Sequence, residues 1–181
     1  MKATVSGDRK ILLLISYIIC ISFFSCKKID QLLTFTISNE SVMTVNSTTP
    51  VNLPFNVPCP EVTTNSSEQF KNNNTSGKYV KDIRLKSLQL NITNPSSQTF
   101  AFLKSIHIYI STNSSNEIEL ASMDNISSTA NTISLTATQA KLDDYIKATS
   151  YSLRTSVVTR QVPTQNIDIK ITSKFNVTAN L

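Results

Sequence analysis

The chain has 181 residues, 40% hydrophobic and 16% charged, with a formal net charge of +5 and only one histidine and two glycines. This length favours one domain with a leader or tail. Two glycines cannot supply the phosphate-binding loops, dinucleotide-binding fingerprints or nucleophile elbows that need glycine at fixed spacings, and one histidine excludes a His-based metal cluster.

A short apolar segment lies near the start of the chain. Lys2, Arg9 and Lys10 form a basic stretch that precedes an apolar run at residues 11–24. A basic stretch, an apolar run of about 7–15 residues and then a small residue are typical of a secretory signal. The run is shorter than the roughly 20 residues that span a bilayer, which favours a cleaved signal helix over an uncleaved anchor.

The end of the apolar run carries a recognisable motif. Phe23, Phe24, Ser25 and Cys26 resemble the lipobox of bacterial lipoproteins, although Phe23 stands where that family usually has leucine. The resemblance implies that a type II signal peptidase removes residues 1–25. It also implies that Cys26 then carries a thioether-linked diacylglycerol and an N-acyl chain, and apart from these covalent lipids we expect no cofactor. Three acyl chains would make membrane attachment effectively permanent.

The residues after the cysteine bear on the membrane that would receive the anchor. In Gram-negative lipoproteins an aspartate directly after the cysteine favours the inner membrane, and here Lys27 occupies that position. The resemblance therefore implies the outer membrane, with its periplasmic and surface sides both open. We expect residues 26–31 to be a short tether and residues 32–181 to be a single domain.

Alternation of apolar and polar residues dominates that domain and predicts half-buried strands. Strands are predicted around residues 33–37, 42–45, 51–59, 83–92, 106–110, 118–120, 133–137, 150–160 and 166–178. Pro54 favours an edge position for the third strand. Apolar residues change parity near Lys86 and Ser87, which predicts a β-bulge there.

Two segments depart from the alternation. After Thr138 as a candidate N-cap, Leu142, Tyr145 and Ile146 have helical spacing, which predicts one short helix within residues 138–147 that covers an open end of the core. Residues 61–78 are rich in Asn, Ser and Thr, and we expect a mobile loop there. The fold class is therefore all-β, an antiparallel β-sandwich of about 7–9 strands with one short helix after the signal.

The last two strands suggest a charged surface. A turn at Pro163 predicts that residues 150–160 and 166–178 form an antiparallel hairpin. Its outward residues would include Arg154, Arg160, Lys170 and Lys174. Four cations on one face could bind an anionic envelope glycan, or they could form an ordinary solvated face.

Few other residues point to chemistry. Cys59 continues an apolar stripe, so we expect a small core residue rather than a reactive thiol. We expect His107 to be a surface or inter-sheet residue, because the sequence names no nucleophile or acid beside it. Asp143 and Asp144 are adjacent on the predicted helix, and we expect both to be solvated.

The chain also contains nine Asn-x-Ser/Thr sequons, which leave a secreted eukaryotic glycoprotein as an alternative. They lie at Asn39, Asn46, Asn65, Asn73, Asn74, Asn91, Asn113, Asn125 and Asn176.

Together these patterns predict an outer-membrane lipoprotein whose sandwich is a non-enzymatic interaction or structural module. We expect no catalytic or metal-binding residues. Partners would be the membrane, through the anchor, and an envelope protein or glycan. No basic run exceeds two residues, so we expect no nucleic-acid partner. An envelope hydrolase with an unrecognised site is the enzymatic alternative.

Overall fold

The computed structural model describes residues 32–180, so the predicted signal, the lipobox-like motif and Cys26 lie outside the described residues. Nine strands are present: β1 Leu32–Val45, β2 Phe55–Pro58, β3 Val62–Thr63, β4 Val80–Asn94, β5 Leu103–Ser111, β6 Ile118–Met123, β7 Thr132–Ala137, β8 Ser150–Thr159 and β9 Ile167–Asn180. Two α-helices, α1 (Ser66–Asn72) and α2 (Asp143–Ile146), and a 3-10 turn at Phe100–Phe102 complete the described chain.

The strands form one curled antiparallel sheet. Its order is β1-β9-β4-β7-β6-β5-β8-β2, and β3 also pairs with β8. The sheet turns over at β7, which pairs with β4 through its first residues and with β6 through Ala137 and Thr136. We call β1, β9 and β4 the first layer, and β6, β5, β8, β2 and β3 the second layer. The predicted all-β antiparallel sandwich is confirmed, with two α-helices where one was expected.

The core lies between the two layers and follows from the alternation in the sequence. Ile167, Ile169, Ile171, Phe175 and Val177 of β9 are all buried, and the polar residues between them face outward. Contact across the core is direct, because the rings of Tyr151 on β8 and Phe175 on β9 meet edge to face with centroids 6.4 Å apart.

The predicted hairpin of the last two strands is wrong. β9 pairs with β1 and β4 in the first layer, whereas β8 pairs with β5, β2 and β3 in the second. The connecting residues 160–166 cross between the layers instead of making a tight turn. Arg160 begins this crossing beside β5, since its amide donates to the carbonyl of Phe102 at 2.7 Å. Both strands still face one core, which is why their alternation is so similar.

The predicted bulge in β4 is confirmed. Leu85 pairs with Phe175, and Ser87 pairs with the adjacent residue Lys174, so Lys86 is the extra residue. Lys86 and Ser87 both avoid the core, while Leu85 and Leu88 are buried on either side. The bulge therefore lets both halves of this strand turn their apolar residues inward.

The first two predicted strands are one element. β1 runs without interruption through fourteen residues and pairs with β9 along its whole length. Asn39 and Ser41 lie on its inward face and interrupt the apolar alternation in the sequence. Asn39 is buried, and its side-chain amide is satisfied there because Nδ2 donates to the hydroxyl of Tyr151 at 3.2 Å. A polar pair thus replaces an apolar contact in the middle of the strand.

Residues 61–78, expected to be a loop, contain β3 and α1 instead. Phe70 of α1 is buried against Phe35 of β1, with ring centroids 6.2 Å apart in an edge-to-face contact. Gly77 packs on the same ring, since a Cβ at this position would lie 3.7 Å from it. One aromatic residue therefore anchors a segment that is otherwise polar.

The helix predicted within residues 138–147 is shorter than expected. It spans Asp143–Ile146, and Thr138 does not cap it, because the Thr138 hydroxyl donates to the carbonyl of Glu119 at 2.9 Å. Leu142, Tyr145 and Ile146 are buried, as their spacing predicted. This helix covers the end of the core at which β4 and β8 begin.

Candidate functional site

The outer face of the second layer brings together an arginine, a histidine, a tyrosine and several acids. Ile106, Ile108 and Ile110 of β5 point into the core, so His107 and Tyr109 point outward. Pairing between strands aligns them in two rows across β2, β8, β5 and β6. One row is Asn56, Ser156, His107 and Ser122, and the next is Pro58, Arg154, Tyr109 and Glu119. We call this surface the Arg–His face, with Glu117 and Asp124 at its margin.

Arg154 is held in place by three neighbours. Its Nε and Nη2 donate to the two carboxylate oxygens of Glu117 at 2.9 and 2.7 Å, and its Nη1 donates to Asn56 at 3.0 Å. The guanidinium lies over the ring of Tyr109, 4.0 Å from its centroid. The hydrogen bond from Arg154 lowers the pKa of the Glu117 carboxyl, and Glu117 in turn raises the pKa of Arg154.

His107 lies between two acids. Its Nδ1 is 3.6 Å from a carboxylate oxygen of Glu119, and its Nε2 is 3.3 Å from one of Asp124. Ser122 and Ser156 are its neighbours on the adjacent strands, but no hydrogen bond joins either serine to the imidazole in the described chain. The arrangement lacks the nucleophile-to-base contact that acyl transfer requires.

The four predicted cations do not form one face, and this expectation is corrected. Because β8 and β9 lie in opposite layers, Arg154 faces outward on the second layer and Lys170 and Lys174 face outward on the first. Lys170 pairs with Glu40 at 3.1 Å. Arg160 has a structural role, since its guanidinium donates to the carbonyl of Leu103 at 3.2 Å and to that of Ile126 at 2.6 Å.

Two further residues singled out in the sequence have structural surroundings. Cys59 is half-buried, with its Sγ 3.4 Å from the hydroxyl of Thr155, and burial raises the pKa of the thiol. It therefore stays protonated and poorly nucleophilic near neutral pH. Asp143 is largely buried rather than solvated, because it accepts a hydrogen bond from the amide of Ile83 at 3.2 Å and pairs with Lys147 at 3.3 Å.

A shallow hollow of about 260 Å³ lies at the start of α1 and is open to solvent. One of the hydroxyls that line it, that of Thr64, already donates to the carbonyl of Ala148 at 2.6 Å. In residues 32–180 no three His, Cys, Asp or Glu side chains come together as metal ligands. Over the same range, no helix has the length and apolar character needed to cross a bilayer.

Comparisons with known proteins add a distant likeness. No protein-family model and no curated protein matches the chain. Among solved structures, the chain is similar to one titled "Crystal structure of 60-mer BFDV Capsid Protein", with a TM-score of 0.41 and 10% identity over 83% of this chain and 94% of that one. The strand pairing, and not this likeness, defines the fold.

The sequence did not reveal that Arg154, Tyr109 and His107 share a surface. The signal that exists is local, since His107 and Tyr109 alternate with three buried isoleucines and must therefore point outward together. Their partners Asn56 and Glu117 come from separate segments. Only the order of the strands brings these segments together.

Proposed function

We propose that this protein is an outer-membrane lipoprotein, anchored through Cys26, whose β-sandwich is a non-enzymatic interaction module. The observation that supports the anchor is the lipobox-like run of Phe23, Phe24, Ser25 and Cys26 after the apolar segment. β1 starts at Leu32, only six positions after Cys26, and its first residue already pairs with Asn180 of β9. A lipid on Cys26 would therefore hold the sandwich directly at the membrane surface.

The Arg–His face is the surface that we propose for the partner, which would be an envelope protein or glycan. Arg154, Tyr109 and Asn56 are fixed relative to one another by the contacts described above, so their geometry is already set before a partner arrives. Glu117 and Asn56 accept from three of the five N–H groups of the Arg154 guanidinium. The other two N–H groups are the donors that we propose for hydrogen bonds to the partner.

The absence of catalysis is part of the proposal and is supported by the same contacts. The guanidinium of Arg154 is paired with a carboxylate, the thiol of Cys59 has a raised pKa, and the imidazole of His107 contacts acids instead of a hydroxyl. None of these groups is arranged as an activated nucleophile.

Metabolic labelling with palmitate tests the anchor. The wild-type protein should incorporate the label, and Cys26→Ala should lose it and leave the membrane fraction. Cys59→Ala is the matched control and should keep the label, because that cysteine is paired with Thr155 inside the folded domain. Label retained by Cys26→Ala would overturn the proposed anchor.

An envelope hydrolase is the second candidate, and the position of His107 is the observation that favours it. Asp124 is within hydrogen-bond distance of the imidazole, and Ser122 and Ser156 lie on the flanking strands. Purified protein should be assayed on esters and envelope glycans beside His107→Ala. Turnover that is lost in His107→Ala would replace the non-enzymatic proposal with this one.

A secreted glycoprotein is the remaining alternative. Asn39, one of the sequon residues, is buried and donates its amide to Tyr151. A glycan on that nitrogen would break the contact and would not fit in the core. Mass spectrometry of the exposed Asn176 tests whether other sequons carry glycans.

A further inference from the structure

One corner of the first layer exposes large apolar side chains. Leu32 pairs with Asn180 across β1 and β9, and the amide of Asn180 donates to the carbonyl of Tyr79 at 3.0 Å. Leu32 and Tyr79 therefore lie on either side of Asn180, at the end of the first layer where β1 and β4 begin. Their exposed fractions are 62% and 48%, and the ammonium of Lys78 lies 4.7 Å from the centre of the Tyr79 ring.

The outer face that extends from this corner is basic. The outer surface of β4 and β9 behind Tyr79 carries the exposed or half-exposed cations Lys81, Arg84, Lys86 and Lys174. Asp82 is the acid among them, and it pairs with Arg84 at 2.8 Å. We call the surface formed by Leu32, Lys78, Tyr79, Lys81, Arg84, Lys86 and Lys174 the basic corner.

The acids of this outer face lie farther along the strands. Glu40 is opposite Thr172, and Asp168 is opposite Thr44, both away from the end at which β1 begins. Glu40 is paired with Lys170 at 3.1 Å, and Asp168 accepts a hydrogen bond from Thr44 at 2.7 Å. Cations therefore outnumber acids on the half of this outer face that includes Leu32.

We propose that the basic corner lies on the anionic phospholipid headgroups of the membrane, with Leu32 and Tyr79 in the interface. The proposal rests on the lipid anchor at Cys26. Residues 27–31 form the link to Leu32, and at about 3.6 Å per residue this link can reach no more than roughly 20 Å. The corner that contains Leu32 is therefore the part of the sandwich that must stay near the bilayer.

The chemistry of the corner fits that surface. Aromatic rings with a polar edge and lysines with long apolar stems are favoured where apolar and aqueous regions meet. Basic clusters are attracted to anionic lipids over about one Debye length, so contact between the corner and the membrane should strengthen with anionic lipid and weaken with salt. Lys27 and Lys28 of the link carry two further positive charges.

A single tryptophan can test the contact, because the chain has none. Tyr79→Trp places one at the corner. Leu53→Trp is the matched control, since Leu53 is 61% exposed and lies at the opposite end of the sandwich, beside the last residues of β8. Each acylated full-length protein would be reconstituted into vesicles of phosphatidylethanolamine and phosphatidylglycerol that contain brominated lipid.

We expect bromine to quench the tryptophan of Tyr79→Trp and to shift its emission to the blue, with little change for Leu53→Trp. Adding Lys81→Gln, Lys86→Gln and Lys174→Gln to Tyr79→Trp should remove most of this quenching. Vesicles of phosphatidylcholine alone should weaken it as well, because both changes remove the charge attraction. Equal quenching of the two tryptophans, or quenching that ignores the three lysines and the anionic lipid, would overturn the proposal.

The intact mass of each preparation separates this proposal from the proposed anchor. An acylated protein whose tryptophan at position 79 stays unquenched overturns the membrane contact and leaves the anchor standing. A protein without acyl chains overturns both, because the contact depends on the short link to the lipid.

Discussion

Asn39 and Tyr151 form a buried polar pair between the two layers. The amide of Asn39 donates to the phenol of Tyr151, which is itself buried against Phe175. Burial raises the pKa of Tyr151 to about 12, and the hydrogen bond from Asn39 offsets this only in part. The phenol is therefore neutral throughout the physiological range and is a pH-dependent group only in strong base.

We expect the contribution of Tyr151 to the free energy of unfolding to fall as the pH rises from 10 to about 12. In this window the phenol loses its proton in the unfolded chain but keeps it in the folded one, so the free energy of unfolding falls with pH. The loss should approach about 2–3 kcal/mol, and below pH 10 the full contribution is present. Urea unfolding of wild type and Tyr151→Phe at a series of pH values measures it.

Tyr151→Phe should start less stable at pH 8, by about 1–3 kcal/mol, because Asn39 loses its acceptor. The difference between the two proteins should then shrink above pH 10. Tyr79→Phe is the control, since Tyr79 is exposed, and it should follow wild type. A gap between wild type and Tyr151→Phe that stays constant to pH 12 would contradict the assigned role.

Arg154 should control the acidity of Glu117. The two hydrogen bonds from its guanidinium lower the pKa of this carboxyl, so Arg154→Gln should raise it towards its ordinary value. A pH titration of the side-chain carboxyl carbon by NMR measures the change. Asn56→Ala, which removes a different contact of Arg154, should leave the titration nearly unchanged. Both groups are partly exposed, so we expect little effect on stability.

At the scale of the elements, β4 shows what alternation can predict. The parity of its buried residues changes at Lys86, and an extra residue is the simplest way to keep both halves facing the core. The bulge was therefore predictable from the strand alone, because one strand contains all the information. Nothing beyond the alternation of this strand was needed.

Deleting Lys86 should be tolerated. Without it, Leu85 and Leu88 keep their inward positions in a regular ladder, and the free energy of unfolding should stay within about 1 kcal/mol of wild type. Deleting Gln89 also removes one residue from β4. It should destabilise the protein by at least about 2 kcal/mol, because the shifted register turns Leu88 outward. Urea unfolding compares the two, and equal losses would contradict the register.

Helix α1 shows the opposite case. Its residues are mostly polar, and its one large apolar residue, Phe70, gives no periodicity that could indicate a helix. What stabilises the segment is a long-range contact with Phe35 of β1, which no local pattern encodes. The expected loop was therefore a reasonable interpretation of composition that tertiary packing overrides.

Phe70→Ala should cost about 3–5 kcal/mol, as for other buried phenylalanines that are truncated. The adjacent Lys71→Ala removes an exposed side chain of the same helix and should change stability by less than about 0.5 kcal/mol. Thermal and urea unfolding would measure both. If Phe70→Ala lowers the free energy of unfolding by less than about 1 kcal/mol, the contact between Phe70 and Phe35 does not stabilise the fold.

The hairpin error has a clear physical origin. Two alternating strands with a proline turn between them satisfy every local rule for a hairpin, and local rules do not say which layer a strand joins. The ring contact of Tyr151 and Phe175 shows that the two strands do face each other. They do so across the core, as members of opposite layers, and not as hydrogen-bonded neighbours.

At the scale of the whole molecule, the layers differ in the chemistry of their outer faces. The first layer has the basic corner next to Leu32, and the second has the Arg–His face with Glu117, Glu119 and Asp124. Strand order creates both surfaces from segments far apart in the chain. Inward and outward positions were therefore predictable from the sequence, whereas the groups that share a surface were not.

The position of β9 has a consequence for how the protein is made. It is the last of the described strands, yet it lies between β1 and β4 and pairs with every residue of β1. Of the described strands β1 is made first, and it has no hydrogen-bonded partner strand until β9 has been synthesised, so the first layer forms late. A chain that is cut short before β9 therefore leaves every residue of β1 without its hydrogen-bonded neighbour.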